Sequence, residues 1–253
     1  MNTSILAEIR RKAPLIHCIT NYVTVNDVAN VLLAIGARPV MADDPAETEE
    51  ITALAAGLCL NIGTLNARTI PSMLLAGVRA RVLGHPVVLD PVGAGASVLR
   101  TETALRLLDE VRPTVIRGNI SEIRTLAVGT GTTSGVDADA ADAVTEENLA
   151  ASADFLRAFA ARTGALVAVT GAIDLVTDGR DCYVVRNFIN VIAGNSKQNT
   201  NLCGQVLRGL VQVNCHILAF NACYAAHHDL LTQQGGSIGG ELFNGLTLEG
   251  CSL

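Results

Sequence analysis

The sequence predicts an α/β fold with a doubly wound, mostly parallel central sheet flanked by helices on both faces. Short apolar runs alternate with stretches of helical periodicity, the connections between them are short, and one buried-looking run ends in an acidic residue. Such alternation is typical of a parallel sheet, because each parallel crossover needs a helix. No internal repeat and no Pro- or Ser-rich linker divides the chain, so we expect a single domain over residues 1–253.

The first elements follow from the amino-terminal third of the chain. LIHCI (15–19) predicts a strand, and TVNDVANVLLAIGA (24–37) has apolar residues at helical spacing. Thr24 or Asn26 can cap that helix, and Gly36 is placed to end it. The next predicted elements are a short strand at 37–42, a helix over about 45–54, a strand at 57–63 and a helix over about 66–82.

The run HPVVLD (85–90) opens the second part of the predicted sheet. It is continuously apolar and ends in Asp90, as expected of a buried parallel strand whose carboxyl end meets a ligand site. The remaining predicted elements are a helix over 101–111, a strand at 113–119, a helix from Ser121, a helix over 145–163 and a strand at 165–170.

Composition excludes several classes of protein. The chain is 49% hydrophobic and 17% charged, which rules out intrinsic disorder. Acidic residues outnumber basic ones 24 to 18, so we expect no nucleic-acid partner. No apolar stretch is long enough for a membrane span, and the opening residues lack the apolar segment of a signal peptide. The 7 cysteines form no CxxC pair, which predicts reduced thiols and a cytoplasmic location.

Polar side chains and glycine turns follow several predicted strands. Because the carboxyl ends of parallel strands meet at one crevice, these segments should lie together. Asp90 and Glu122 beside Arg117 would suit a nucleotide phosphate with Mg²⁺, since carboxylates bind hard cations and guanidinium groups bind phosphate. The segments are NIGTL (61–65), LDPVGAGAS (89–97), IRGNISE (116–122) and VTGAIDLVTDG (169–179).

Each of these residues also fits a purely structural role. Asp90 before a proline can start a turn, Asn119 or Ser121 can cap a helix, and Arg117 can pair with a neighbouring carboxylate. The glycine turns match neither a Walker loop, because no GK[ST] follows GAGAS, nor a GxGxxG dinucleotide site. The conjunction of four such segments at strand ends favours a nucleotide site.

A set of linked segments carries a family resemblance. They are PLIHCITNYVTVNDVANVLLAIGARPVMA, LNIGTL, VVLDPVGAGAS, RTETALRLL, VIRGNISEI, GVD and VAVTGAIDLVTDG. Nearly without gaps from about Pro14 to Asn187, they resemble the hydroxyethylthiazole kinases of thiamine salvage, which have the ribokinase-like fold. The resemblance implies transfer of the γ-phosphate of ATP to the hydroxyl of 4-methyl-5-(2-hydroxyethyl)thiazole, with Mg²⁺, in a homotrimer with active sites at subunit interfaces.

The resemblance also implies roles for individual residues. Met41 suits a flat heterocycle because a thioether packs well on aromatic faces, although a methionine there would also fit an ordinary core. The implied thiazole pocket is Asn21, Met41, Gly63 and Thr64; the implied ATP contacts are Arg117, Asn119 and Thr170; the implied Mg²⁺ partners are Asp90 and Glu122.

The carboxyl-terminal part departs from the family pattern. The family has two glycines before a cysteine that opens a helix, whereas this chain has Asn199-Thr200-Asn201-Leu202 before Cys203. Cys203 is the implied catalytic counterpart, with buried packing as the other reading. Two further alternatives stay open: a weak or inactive family member that still binds nucleotide or thiazole, and a related kinase for a pyrimidine or pyridoxal alcohol. Met41 and the RGNxSE motif favour thiazole.

Overall fold

The computed structural model describes residues 3–129 and 143–186 of the chain. The strands are β1 (Leu15–Ile19), β2 (Arg38–Val40), β3 (Gly57–Asn61), β4 (Val87–Asp90), β5 (Val115–Gly118), β6 (Leu166–Val169), β7 (Ile173–Thr177) and β8 (Cys182–Arg186). The helices are α1 (Thr3–Lys12), α2 (Val25–Ile35), α3 (Thr48–Leu54), α4 (Thr69–Leu83), α5 (Val98–Arg106, continued by a π-helical turn, Leu107–Val111), α6 (Ile120–Val128) and α7 (Leu149–Thr163).

These strands form one sheet in the order β2-β1-β3-β4-β5-β6-β7-β8. The first five pairs in that order are parallel, and the β6–β7 and β7–β8 pairs are antiparallel. The predicted mostly parallel sheet is therefore confirmed. The antiparallel hairpin of β7 and β8 was not predicted, because TGAID at 170–174 resembles a polar loop after a strand.

The chain reverses its direction across the sheet at β1. It leaves β1 for β2 on one side and then returns to β3 on the other side. Right-handed crossovers in opposite directions place their helices on opposite faces of a sheet. Helices α1 and α2 cover one face, where Ile9, Leu32 and Ile35 pack against Ile16 and Cys18. This reversal creates a crevice between the carboxyl ends of β1 and β3, where open α/β sheets bind ligands.

The opposite face carries the larger apolar core. Buried residues of α4, α5, α6 and α7 join the even-numbered residues of β3 there, as in the group Met73, Leu107, Ile123, Phe159 and Leu60. Each of these five side chains is fully buried. Strands buried on both sides read as continuous apolar runs, which is why the strand positions were visible in the sequence.

Two helix ends show how local sequence sets the boundaries. Gly36 ends α2 with a left-handed backbone (φ 96°), as predicted. Thr24 occupies the N-cap position, but its side chain makes no capping hydrogen bond. The oxygen Oδ1 of Asn21 accepts the N–H groups of Val23 and Thr24 instead, at 3.0 and 3.1 Å. Asn21 therefore holds the turn that leads into α2, and the predicted capping by the Thr24 side chain does not occur.

Two further properties concern the described part of the chain. No helix within residues 3–129 and 143–186 is long and apolar enough to cross a membrane. Cys18, Cys59 and Cys182 are free thiols.

We expect Gly77→Ala to destabilise the protein. A Cβ at Gly77 would lie 2.3 Å from Cγ2 and 2.7 Å from Cγ1 of Val111, where α4 packs against the π-helical turn. Overpacking of this kind costs about 1–3 kcal/mol, which exceeds the gain in helix propensity of about 1 kcal/mol. Urea denaturation measures the change in the free energy of unfolding.

The matched control for this prediction is Gly171→Ala, whose Cβ would meet its nearest atom at an ordinary 3.5 Å. Equal stabilities of the two variants would contradict the packing of α4 on Val111.

Candidate active site

A buried ion pair lies at the carboxyl ends of two adjacent parallel strands. Asp90 is the last residue of β4, and Nη1 of Arg117 in β5 donates to its Oδ2 at 3.0 Å. Asp90 is 2% exposed and Arg117 8%. Burying two charges costs desolvation energy that their attraction repays only in part, so such a pair is weak evidence for a stabilising role. Its place at the ligand-binding edge therefore points to function.

Two asparagines extend this pair toward β1. Nδ2 of Asn61, the last residue of β3, donates to Oδ2 of Asp90 at 2.9 Å. Nδ2 of Asn21 donates in turn to Oδ1 of Asn61 at 2.9 Å. One chain of hydrogen bonds therefore joins residues at the carboxyl ends of β1, β3, β4 and β5. The sequence analysis singled out three of these four residues and missed Asn61, because an asparagine before Ile-Gly looked like part of a turn.

Glu122 connects the start of α6 to the glycine turn after β4. Its Oε2 accepts the N–H of Asn119 and its Oε1 that of Gly93, each at 2.8 Å. Asn119 accepts the N–H of Glu122 in return, which completes a capping box. The predicted cap at Asn119 is confirmed. A Cβ at Gly118 would lie 2.9 Å from Oε2 of Glu122, so only glycine lets this carboxylate approach β5 so closely.

The pKa of Glu122 is raised above its ordinary value. Burial is the main cause, and the nearby charge of Asp90 acts in the same direction. The hydrogen bonds from Gly93 and Asn119 and the charge of Arg117 oppose the rise. Glu122 therefore lies in the same electrostatic environment as the Asp90–Arg117 pair.

The turn after β3 is closely packed against the asparagines. A Cβ at Gly63 would lie 2.9 Å from Cβ of Asn21 and 3.0 Å from Oδ1 of Asn61. Thr64 joins this turn to the segment after β1, since its Oγ1 accepts the N–H of Tyr22 at 3.1 Å. The predicted pocket residues Asn21, Gly63 and Thr64 are thus brought together by the structure.

Arg100 in α5 is a second residue that sequence reasoning missed. Its guanidinium donates to the carbonyl oxygens of Val92 and Gly63, each at 2.8 Å. It thereby joins the turn after β3 to the turn after β4. An arginine in a helical pattern predicts a solvated side chain, and the sequence carried no signal of these hydrogen bonds.

The two remaining predicted residues lie at the flanks of the site. Thr170 follows β6, and its N–H donates to the carbonyl of Gly118 at 2.9 Å, which places it beside the Arg117–Asn119 segment. Met41 follows β2 and is 39% exposed, so the alternative of an ordinary core methionine is wrong. Cys203 lies outside the described residues.

His17 fixes the backbone next to Met41. This fully buried side chain has Nε2 2.7 Å from the carbonyl oxygen of Ala42 and Nδ1 2.9 Å from Oγ1 of Thr52. Burial lowers the pKa of His17, against the smaller opposing effects of the Ala42 hydrogen bond and the Glu47 charge. A carbonyl oxygen can only accept, so Nε2 carries a proton and donates it to Ala42.

No group of three or more potential metal ligands occurs among residues 3–129 and 143–186. Asp90 and Glu122 are the carboxylates that lie with Arg117 at this edge. A cation held there would need further oxygen ligands from a bound substrate and from water, which is how Mg²⁺ is usually bound beside phosphates.

Glycine turns, a capped helix start and a buried guanidinium meet at one edge of a doubly wound, mostly parallel sheet, which is the arrangement of a ligand-binding α/β protein. The family model described as the hydroxyethylthiazole kinase family matches residues 6–229. The chain belongs to the hydroxyethylthiazole kinase family.

Individual relatives agree with this assignment. The chain is 59% identical over 182 residues to the hydroxyethylthiazole kinase of Clostridium acetobutylicum, covering 72% of this chain and 67% of the relative. It is 48% identical over 205 residues to that of Ruminiclostridium cellulolyticum, covering 80% and 74%. The solved hydroxyethylthiazole kinase structure from Pyrococcus horikoshii OT3 superposes with a TM-score of 0.65 at 32% identity, covering 95% of this chain and 90% of that chain.

We expect the lowered pKa of His17 to make stability depend on pH. Its pKa is lowered in the folded protein, so the unfolded chain binds more protons below its own pKa of about 6.5. The stabilisation is complete above pH about 6.5 and is lost as the pH falls toward the lowered folded value, by at most about 1.4 kcal/mol per pH unit. His17→Gln removes this contribution.

Urea denaturation of both proteins from pH 5 to pH 8 measures the difference. The difference in unfolding free energy between the wild-type protein and His17→Gln should be widest at neutral pH and should narrow in acid. Parallel pH profiles of the two proteins would show that His17 has the same pKa in the folded and the unfolded chain.

Proposed function

We propose that this chain transfers the γ-phosphoryl group of ATP to the hydroxyl of 4-methyl-5-(2-hydroxyethyl)thiazole. The observation that carries the proposal is the match to the hydroxyethylthiazole kinase family over residues 6–229. In the reaction the alcohol oxygen forms a bond to the γ-phosphorus and the hydroxyl proton is released to solvent. The bond from the γ-phosphorus to the bridging oxygen breaks, and ADP leaves with its electron pair. Catalysis of this step consists mostly of positioning and charge stabilisation.

Arg117, Asn119 and Thr170 are proposed to bind the nucleotide. The three residues surround Gly118 at the ends of β5 and β6. The Nε–H of Arg117 is buried and lacks a hydrogen-bond partner within the described ranges 3–129 and 143–186. A buried donor without a partner is costly, and a phosphate oxygen would satisfy it.

Asp90 and Glu122 fit a Mg²⁺ ion that accompanies the nucleotide. Mg²⁺ beside phosphates needs only one or two carboxylates, since phosphate oxygens and water supply the remaining ligands. Both oxygens of Glu122 already accept a backbone N–H, so this residue suits contact through water. Bound there, the ion would neutralise charge on the transferred group.

Asn21, Met41, Gly63 and Thr64 are proposed to bind the thiazole. Oδ1 of Asn21 is occupied by backbone donors and one amide N–H is donated to Asn61, so its second amide N–H is the group that could face a ligand. Exposed Met41 offers a thioether to a flat ring. Cys203, beyond the described ranges, stays the predicted residue beside the attacking hydroxyl.

The comparisons favour an active kinase over a member that only binds its ligands, because the relatives with 59% and 48% identity are named as kinases. A cytoplasmic location and the absence of nucleic-acid and membrane partners stay predictions.

The test is an ADP-release assay with Mg²⁺ and the thiazole alcohol. We expect Glu122→Gln and Asp90→Asn to raise the Mg²⁺ concentration needed for half-maximal rate by on the order of 10-fold, because each removes a negative charge from the proposed cation site. Excess Mg²⁺ should restore part of the rate in at least one variant.

The matched controls are Glu110→Gln and Asp154→Asn, whose side chains lie in exposed ion pairs away from this edge. Wild-type Mg²⁺ dependence in both site variants would refute the metal assignment. A wild-type protein that releases no ADP would refute the proposed activity.

We also propose that the chain forms a homotrimer with active sites at subunit interfaces. Tyr22 and Val23, next to Asn21, are 59% and 83% exposed. Apolar side chains exposed beside a ligand site are typical of surfaces that a partner covers.

Light scattering at micromolar concentration should therefore give three times the chain mass of 26.4 kDa. Val23→Lys should weaken the assembly if this surface is buried in it, whereas Val82→Lys, another exposed valine (68%), serves as the control. A monomeric wild-type protein would contradict the trimer.

A further inference from the structure

Asn61 uses both ends of its amide in the centre of the site. This side chain, 6% exposed at the end of β3, accepts at Oδ1 from Nδ2 of Asn21 and from the N–H of Gly63, each at 2.9 Å. Its Nδ2 donates to Oδ2 of Asp90, also at 2.9 Å.

The orientation of this amide is fixed by chemistry. A backbone N–H can only donate, so the atom of Asn61 facing Gly63 must be the oxygen, and the nitrogen must face Asp90. Asn21 is oriented in the same way by the N–H groups of Val23 and Thr24. The hydrogen bonds therefore run in one direction, from Asn21 through Asn61 to Asp90.

Close packing prevents the turn after β3 and the carboxylate of Asp90 from moving independently. The missing Cβ of Gly63 leaves just enough room for Asn21 and Asn61, since a methyl group there would lie 2.9–3.0 Å from both. Arg117 holds Oδ2 of Asp90 from the neighbouring strand. A displacement of Asn61 would consequently shift both the turn after β3 and the carboxylate of Asp90.

We infer that Asn61 is a positioning residue for the phosphoryl transfer. It holds the turn that carries Gly63 and Thr64 in register with Asp90, and so sets where the alcohol lies relative to the transferred group. This inference rests on the proposed function. Asn61 itself need touch neither substrate.

Two substitutions separate the two ends of the amide. Asn61→Asp keeps an acceptor for Asn21 and Gly63 but turns the donor toward Asp90 into a second carboxylate oxygen. We expect kcat to fall about 10-fold or more while the KM for the thiazole alcohol stays within about twofold. Asn61→Leu removes both ends, and we expect that KM to rise at least about fivefold as well.

The matched control is Asn66→Asp. Oδ1 of Asn66 also accepts two backbone N–H groups, from Arg68 and Thr69, but it has no contact with Asp90. This variant should retain wild-type kcat and KM. Asn61→Ser, which adds no charge and cannot reach Asp90, should reproduce the fall in kcat if the Asp variant does not fold.

Amide hydrogen exchange gives a readout that needs no activity. Protection of the Gly63 N–H should survive in Asn61→Asp and be lost in Asn61→Leu, with faster exchange at Val23 and Thr24 as Asn21 is released. Unchanged protection in the Leu variant would overturn the inference. So would equal KM changes in the Asp and Leu variants, or wild-type kcat in both. An inactive wild-type protein would overturn the proposed function, while the exchange pattern would still decide the contacts of Asn61.

Discussion

The salt bridge between Asp90 and Arg117 is the constraint on which the arrangement of the site depends. Two charges that are 2% and 8% exposed require polar partners, and the neighbouring strands supply them. Asn61 donates to the same Oδ2 of Asp90 that Arg117 binds. Glu122 is buried beside the pair, and this burial raises its pKa. The strands around the pair must therefore keep these partners in place. An unmatched charge there would cost more free energy than the pair contributes.

Close packing explains the glycines around this pair. Gly63 and Gly118 have ordinary backbone angles, yet a Cβ on either would lie about 3 Å or less from a polar side chain of the site. They are glycine because the asparagines and Glu122 occupy the space. The absence of a side chain at these two positions therefore leaves room for the polar side chains of the site.

Much of the fold could be predicted because buried parallel strands and helix ends leave local signals. VVLD in β4 is continuously apolar, and Gly36 ends α2 where it was expected. The hairpin of β7 and β8 left no such signal, since Asp174 breaks the apolar pattern and its carboxylate is buried against the N–H of Gly171. Asn61 and Arg100 were missed for a related reason. Their importance lies in partners 29 and 37 residues away in the chain, which no local pattern reports.

The in-register pairing of β3 with β4 has a consequence for how the family can vary. Asn61 and Asp90 are direct partners in the ladder of main-chain hydrogen bonds, so their separation is one strand spacing of about 4.8 Å. Surface loops can lengthen, shorten or change sequence without altering that interval, because the backbone ladder sets it. Divergence can therefore remodel the ligand-recognition loops while the interval between the alcohol side and the phosphate side of the site is inherited unchanged.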